Sequence, residues 1–226
     1  MFQKWRELAF LHWAWDPASL QRTLPDGLTI DTYDGKAYLG VVPFRMRDIR
    51  PRFLPAVPGI SNFLEVNLRT YVRDQKGRSG VWFYSLDANQ RLAVALARAL
   101  FSLPYHAARM RVEDRDDGSR LYQSTRRSSP DARQSYEFTL HSNEREARGG
   151  SLEFFLVERY LLFAQTPAGL RVGQVHHRPY PIVDVELAAW NETLLSLNGF
   201  PPTGRAPDHV CGSHGVDVEV FSLEPA

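Results

Sequence analysis

Cysteine is almost absent from this sequence, and its scarcity excludes a fold held together by disulfides. Cys211 is the only cysteine, so the chain cannot form an internal disulfide bond. A lone thiol is typical of proteins in a reducing compartment. The first ten residues carry charges where a secretory signal needs an unbroken apolar run. We therefore expect a cytoplasmic protein.

Long apolar runs and an excess of one charge are also missing. No stretch approaches the ~20 apolar residues that cross a bilayer, which argues against a membrane partner. The formal net charge is +1, which gives no electrostatic basis for binding nucleic acid. The sequence has neither an internal repeat nor a break in composition. We expect one domain over residues 1–226.

Lysine and the common cofactor motifs are scarce or absent. Lys4, Lys36 and Lys76 are the only lysines, and arginine supplies the other 24 of the 27 basic residues. This leaves few candidates for a nucleophilic lysine. The sequence also lacks a phosphate-binding loop, a dinucleotide fingerprint, a nucleophile elbow and a His-Glu-x-x-His motif. It therefore predicts no cofactor.

One short segment is rich in possible metal ligands. His209, Cys211 and His214 fall within six residues, and His176 and His177 lie elsewhere. A zinc site needs three or four converging ligands, and its strongest sequence signal, paired Cys-x-x-Cys, is absent. A glycine-containing loop before the last strand explains these residues without a metal, so we predict none. Cys211 beside a histidine is a weak candidate nucleophile.

Short apolar runs separated by proline and glycine predict many strands and few helices. Asp34-Gly35 between residues 28–33 and 37–44 predicts a hairpin, since both positions tolerate positive φ. Residues 50–59 are rich in proline, which predicts an ordered loop across the mouth of the sheet. Helical spacing of apolar residues predicts helices at 89–103 and 187–197. Valines alternating over residues 216–221 predict the last strand.

The segment 63–72 has two faces of different character. Side chains alternate across a strand, so Val66, Leu68 and their neighbours share an apolar face. The other face carries an acid, an amide, a guanidinium and a phenol, each able to make directed hydrogen bonds: Glu65, Asn67, Arg69 and Tyr71. This row either faces solvent or lines a cavity that binds a polar ligand.

The spacing of the two charges favours a ligand if the row is enclosed. Glu65 and Arg69 are four residues apart, about 13 Å along a strand, which is too far for direct pairing in most rotamers. A buried charge without a partner is costly. Arg69 could therefore bind a ligand carboxylate, with Glu65 as acid or base.

A second candidate lies where the predicted helix at 89–103 gives way to a strand. Tyr105 and His106 point to opposite faces of that strand, and His106 could titrate near neutrality. The alternative is structural, with Tyr105 as an aromatic residue at a rim and His106 bonded to a backbone carbonyl. The residue pattern favours this structural role over a catalytic one.

Several separate motifs resemble the YqjF-like family of uncharacterised bacterial proteins. These motifs are Phe10-Leu11-His12-Trp13, Leu24-Pro25-Asp26-Gly27-Leu28, Val42-Pro43-Phe44-Arg45, the Glu65–Tyr71 row, residues 80–87 and Leu103-Pro104-Tyr105-His106. That family is similar in fold to acetoacetate decarboxylase. The resemblance implies an α+β, mainly antiparallel chain that forms a closed or cone-shaped β-barrel with a few outer helices and an internal ligand cavity.

The resemblance also implies that the decarboxylase chemistry is lost. Acetoacetate decarboxylase uses a Schiff-base lysine that follows a helix and a proline, and the similar position here reads Pro104-Tyr105-His106. Neither Tyr105 nor His106 can form an imine. Glu65 resembles the strand carboxylate that orients the substrate.

Three functions remain open at this stage. The first is binding of a small polar or carboxylate-bearing molecule by Glu65, Asn67, Arg69, Tyr71, Tyr105 and His106. The second is an enzyme acting on an enolisable carbonyl compound without an imine, with Glu65, Tyr105 or His106 as catalytic candidates. The third is a non-catalytic scaffold or regulatory module in which Arg69 pairs internally with Glu65 or Asp87. A homo-oligomer is possible in each case.

Overall fold

Strands dominate the computed structural model, which describes residues 1–91 and 102–226. The strands are β1 (Phe2–Trp15), β2 (Leu28–Ile30), β3 (Ala37–Arg50), β4 (Phe63–Asp74), β5 (Ser79–Ala88), β6 (Tyr105–Asp114), β7 (Arg120–Arg126), β8 (Arg133–Leu140), β9 (Leu161–Thr166), β10 (Gly169–His176), β11 (Ile182–Val183), β12 (Val185–Asn191), β13 (His209–Val220) and β14 (Glu224–Pro225). Short helices are α1 (Pro17–Gln21), α2 (Leu152–Val157) and α3 (Leu194–Leu197). Within the described ranges, no helix has the length and apolar character of a membrane span.

Strand pairing closes into a ring. β5 pairs with β9, and the pairing continues through β10, β13, β1, β3 and β4 back to β5. The β5–β9 and β5–β6 pairs are parallel, whereas the other ladders are antiparallel. The prediction of a mainly antiparallel α+β chain with few helices is confirmed.

A second sheet covers one outer wall of the ring. β6 leaves the ring beside β5, and β7, β8 and β12 follow it in order. Tyr122 on β7 is buried and donates a hydrogen bond to the Glu65 carbonyl, with an O···O distance of 2.8 Å. Val66 and Leu68 pack with Tyr122 and Phe138 in the core between the two layers. β4 is therefore buried on both faces.

The predicted turn at Asp34-Gly35 is present, but the predicted hairpin is wrong. Both residues have positive φ, 48° and 73°. β2, however, pairs with β4 rather than with β3. Leu28 is buried against Val72 on β4, so packing on β4 decides the partner of β2.

The predicted helix over residues 187–197 is mostly wrong. Val185–Asn191 is β12, which pairs with β8 and has a register shift after Leu187. Only Leu194–Leu197 is helical, and Gly199 follows with φ of 83°. Leu187 is apolar and packs against the core in strand conformation. The predicted helix over 89–103 falls largely on residues 92–101, outside the described residues.

The predicted loop at residues 209–214 is also wrong, because these residues belong to β13 and pair with β1. Gly212 is there for close packing rather than for a turn. A Cβ atom at this position would lie 2.5 Å from a Leu140 methyl carbon and 2.7 Å from one of Val185. β13 therefore begins seven residues before the predicted start at Val216, and the short β14 follows it.

A buried ion pair joins the ring to the second sheet. The Arg126 guanidinium on β7 contacts the Asp87 carboxylate on β5 with an N···O distance of 2.7 Å, and both side chains are almost fully buried. We expect Arg126→Met to lower the free energy of unfolding by about 3–5 kcal/mol, because it leaves a buried carboxylate without its cation. Urea titration measures this change.

The double variant Asp87→Leu, Arg126→Met should recover much of that loss, because an apolar pair of similar size removes both buried charges. Arg115→Met breaks a more exposed pair with Glu137 and should cost less than about 1 kcal/mol. Equal losses in the buried and exposed single variants would contradict this account of the sheet junction.

Candidate functional site

The ring encloses a cavity of about 350 Å³. Its walls come from β1, β3, β4, β5, β6, β9, β10 and β13, and most lining side chains are apolar. The register of β3 and β4 divides the cavity into levels, which from mouth to base are Met46–Phe63, Phe44–Glu65, Val42–Asn67 and Gly40–Arg69. Pro51, Pro55 and Val57 line the mouth, so the proline-rich segment crosses one end of the ring.

Glu65 lies at the second of these four levels, counted from the mouth, and is 2% exposed. The Tyr105 hydroxyl donates a hydrogen bond to the Glu65 carboxyl over 2.9 Å, and the Asn67 side chain makes a second hydrogen bond with it. Burial raises the pKa of Glu65 to about 7, against the lowering effect of these two hydrogen bonds. Near neutral pH, Glu65 can therefore hold or release a proton.

Arg69 lies deeper in the cavity and is 9% exposed. Its guanidinium carbon is 5.4 Å from the centre of the Phe10 ring and 5.8 Å from that of Tyr71. Its Nε and Nη2 atoms are buried and have no hydrogen-bond partner among the residues that the structure describes. Asp87 is occupied by Arg126, so the internal pair with Asp87 that the scaffold hypothesis allows is not formed.

A hydrogen-bonded chain supports Arg69 from behind. Arg69 hydrogen bonds the Tyr71 hydroxyl, which lies 2.7 Å from Nε2 of His12. Nδ1 of His12 is 3.4 Å from Nδ1 of His209, and Nε2 of His209 is 4.0 Å from a Glu153 carboxyl oxygen. Burial, His209 and Arg69 hold the pKa of His12 well below its usual value, so His12 is neutral at physiological pH.

Neutral His12 fixes the direction of this chain. A guanidinium can only donate hydrogen bonds, so the Tyr71 oxygen accepts from Arg69 and its own proton is free to go to His12. His12 then donates from Nδ1 to His209, whose remaining N–H points to the Glu153 carboxylate. Gly40 makes room for this arrangement, because a Cβ atom there would lie 3.0 Å from the His12 ring and 3.2 Å from the Tyr71 hydroxyl.

Four of the residues singled out in the sequence meet in this cavity. Glu65, Asn67, Arg69 and Tyr105 all line its wall. Tyr71 is fully buried behind Arg69 and contacts that side chain rather than the cavity. His106 is half-buried and pairs in register with Asp87. It lies on the opposite face of β6 from Tyr105 and outside the lining, so the structure does not bring it to this group.

Sequence reasoning missed His12 and Phe83 as parts of the site. The residues on either side of His12 in β1 are apolar. A histidine within this apolar run is the only sequence signal of its role. Phe83 and Leu86 both line the cavity although they are three residues apart. A register shift opposite Leu68 and Arg69 turns both inward, and no sequence pattern marks that shift.

The three lysines all lie in described segments, and none lines the cavity. Lys4 pairs with Asp48 at 2.7 Å, whereas Lys36 and Lys76 occupy turns. Cys211 is fully buried in the wall, where burial raises the pKa of its thiol. His214 points to the His141 carbonyl. Among the described residues, no three His, Cys, Asp or Glu side chains are arranged to hold a metal.

Comparison with known proteins shows which family this chain belongs to. The family model for DUF2071, described as an uncharacterized conserved protein, matches residues 2–217. The chain belongs to the DUF2071 family. It is 37% identical over 199 residues to the uncharacterized protein YqjF of Bacillus subtilis (strain 168), a match covering 88% of this chain and 81% of YqjF. The resemblance found in the sequence motifs is confirmed.

Solved structures show the same fold. Acetoacetate decarboxylase from Legionella pneumophila matches with a TM-score of 0.62 and 14% identity over 100% of this chain and 88% of that enzyme. The enduracididine biosynthesis enzyme MppR, complexed with pyruvate, matches with a TM-score of 0.62 and 14% identity over 99% of this DUF2071 protein and 88% of MppR. The predicted acetoacetate decarboxylase-like fold is confirmed.

The pKa of Glu65 predicts a pH-dependent contribution to stability. Burial raises this pKa from 4.5 to about 7, so between these values the folded chain keeps a proton that the unfolded chain has released. We expect the free energy of unfolding to fall across this window by roughly 3 kcal/mol, at 1.36 kcal/mol for each pKa unit, relative to Glu65→Gln. Urea titrations between pH 4 and pH 8 measure the difference.

Glu224→Gln serves as the control, because Glu224 is exposed at the end of the chain. Its stability should follow that of the wild type across the same window. If the Glu65→Gln curve also runs parallel to the wild-type curve, Glu65 does not hold its proton as described.

Proposed function

We propose that this DUF2071 protein binds a small carboxylate-bearing molecule in the ring cavity, with Arg69 as its counter-ion. The observation that carries the proposal is the pair of buried Arg69 N–H groups without a partner among the described residues. Two such N–H groups match the geometry of a carboxylate. An unpaired buried charge is costly, and a ligand carboxylate would offset that cost.

The charges around Arg69 support an anionic ligand. His12 carries no charge, because its pKa is held well below the usual value. Glu65 is four residues away along β4, at about 13 Å, and its own pKa of about 7 leaves it partly protonated at neutral pH. The deep end of the cavity therefore has a net positive charge, which favours an anion over a neutral molecule.

The Glu65–Tyr105 pair supplies a second point of recognition. Both side chains line the cavity, and the Tyr105 hydroxyl donates its proton to Glu65 over 2.9 Å. The Glu65 carboxyl itself can therefore offer an O–H donor when protonated and an acceptor oxygen when ionised. A carbonyl or hydroxyl group of the ligand could pair with them. The complex of MppR with pyruvate supports a carboxylate-bearing ligand for this fold, and we use pyruvate as the first probe.

We expect Arg69→Met to weaken pyruvate binding roughly ten- to hundredfold, the range given by the loss of hydrogen bonds to a charged group. The pyruvate affinity of Arg69→Lys should lie between those of Arg69→Met and the wild type, because lysine keeps the charge but cannot make the bidentate contact of arginine. Isothermal titration calorimetry or ligand-observed NMR measures both.

Arg47→Met is the matched control, because Arg47 is exposed on β3 and lies outside the cavity lining. It should bind pyruvate as the wild type does. If urea titration shows that Arg69→Met is folded and its pyruvate affinity is unchanged, the proposal is wrong.

The second candidate function is acid–base catalysis on an enolisable carbonyl compound. The observation in its favour is the buried Glu65 carboxyl with a pKa of about 7, beside the Tyr105 hydroxyl. A group with such a pKa can take a proton from the carbon next to a carbonyl and return it. None of the three lysines lines the cavity, so an imine on a lysine is not available to this site.

We expect the protein to speed exchange of the pyruvate methyl protons in D₂O, and Glu65→Gln to reduce that rate by a factor of roughly 100 or more. Proton NMR follows the exchange. The rate should rise as pH passes through about 7, because the ionised carboxylate is the base. Tyr105→Phe should slow exchange, whereas His106→Ala should leave it unchanged because His106 lies on the other face of β6.

Borohydride added with pyruvate should leave the mass of the protein unchanged. A covalent adduct on any lysine would restore imine chemistry and remove the acid–base candidate. Exchange no faster than in buffer would leave ligand binding as the function.

A further inference from the structure

The cavity extends beyond the Arg69 level, and most of its lining residues are apolar. On β4, Glu65 and Asn67 are its polar residues between Arg69 and the mouth. Leu162 on β9 and Val175 on β10 are among the apolar residues that line the other walls. A ligand held only at Arg69 would leave these apolar surfaces in contact with water, which is unfavourable.

The dimensions of the cavity also exceed those of a three-carbon acid. Six residues of β4 separate Phe63 near the mouth from Arg69 at the base, about 20 Å along the strand. The volume of about 350 Å³ is more than twice the ~150 Å³ of an apolar cavity that holds benzene. A cavity of this size has room for an acid with several more carbons than pyruvate.

The mouth is apolar at the point where such a chain would emerge. Val57 and Ile60 line the cavity and are 50% and 39% exposed. Apolar side chains at the entrance would contact the end of an alkyl chain that extends from Arg69 past Glu65.

We propose that the ligand is a monocarboxylic acid with an apolar chain of several carbons, its carboxylate on Arg69 and its chain running to the Val57–Ile60 mouth. This inference rests on the proposed function, because it uses Arg69 as the carboxylate site. It goes further by naming the class of acid. Short 2-oxo acids such as pyruvate then bind weakly, because they fill only the deep end of the cavity.

The test is a calorimetric titration of acetate, butanoate, hexanoate and octanoate into the full chain. We expect affinity to rise about fourfold for each added methylene, which is the buried-CH₂ value of about 0.8 kcal/mol expressed as a ratio. Octan-1-ol should bind much more weakly than octanoate in the wild type. That preference should disappear in Arg69→Met.

Two loop variants locate the chain. Val57→Asp places a negative charge at the cavity mouth, and we expect it to weaken octanoate binding at least tenfold while acetate binding is unchanged. Leu54→Asp adds the same charge to the same loop outside the lining and should bind octanoate as the wild type does. Both positions are exposed, so neither variant should impair folding.

The outcomes separate this inference from the proposed function. Affinity that is flat across the series but still depends on Arg69 overturns the long-chain ligand and leaves carboxylate binding in place. Octanoate binding that depends on chain length but not on Arg69 or Val57 is surface adsorption and overturns both. Equal loss in Val57→Asp and Leu54→Asp also overturns the placement of the chain.

Discussion

The double burial of β4 is the constraint on which the site depends. One face of this strand packs with Tyr122 and Phe138 of the second sheet, and the other faces the ring cavity. A strand in this position would normally be apolar on both faces, since buried polar groups need partners. Glu65, Asn67 and Arg69 depart from this apolar pattern together, and all three line the ring cavity.

The structure provides partners unequally along this row. Glu65 receives hydrogen bonds from Tyr105 and Asn67, and its raised pKa lets it shed its charge when that is favourable. Arg69 cannot lose its charge in this way, because a guanidinium stays protonated in proteins. Its aromatic neighbours and the Tyr71 hydroxyl stabilise it in part. Of these residues, Arg69 at the base of the cavity is therefore the one that most needs a counter-ion.

The alternation of residues 63–72 was enough to predict that one row of polar side chains shares a face, and motif resemblance predicted the fold. The sequence could not show that a second sheet buries the other face, since that depends on Tyr122, which is distant in the chain. It also could not predict His12 behind Tyr71, because only strand register brings them together. The false helix at 187–197 has a similar cause, because short apolar patterns fit helix and strand alike and pairing with β8 decides between them.

The fold shared with acetoacetate decarboxylase and MppR does not carry the chemistry of those proteins to this chain. A ring of this kind presents the same interior strand positions whatever residues occupy them. In this chain the three lysines lie outside the cavity lining, so no lysine there can form an imine. What remains is a fixed cation at the base, a carboxyl group that titrates near neutrality halfway up and an apolar passage to the mouth. An acid with an apolar chain is complementary to all three of these features, whereas a short polar acid would be complementary only to the first two.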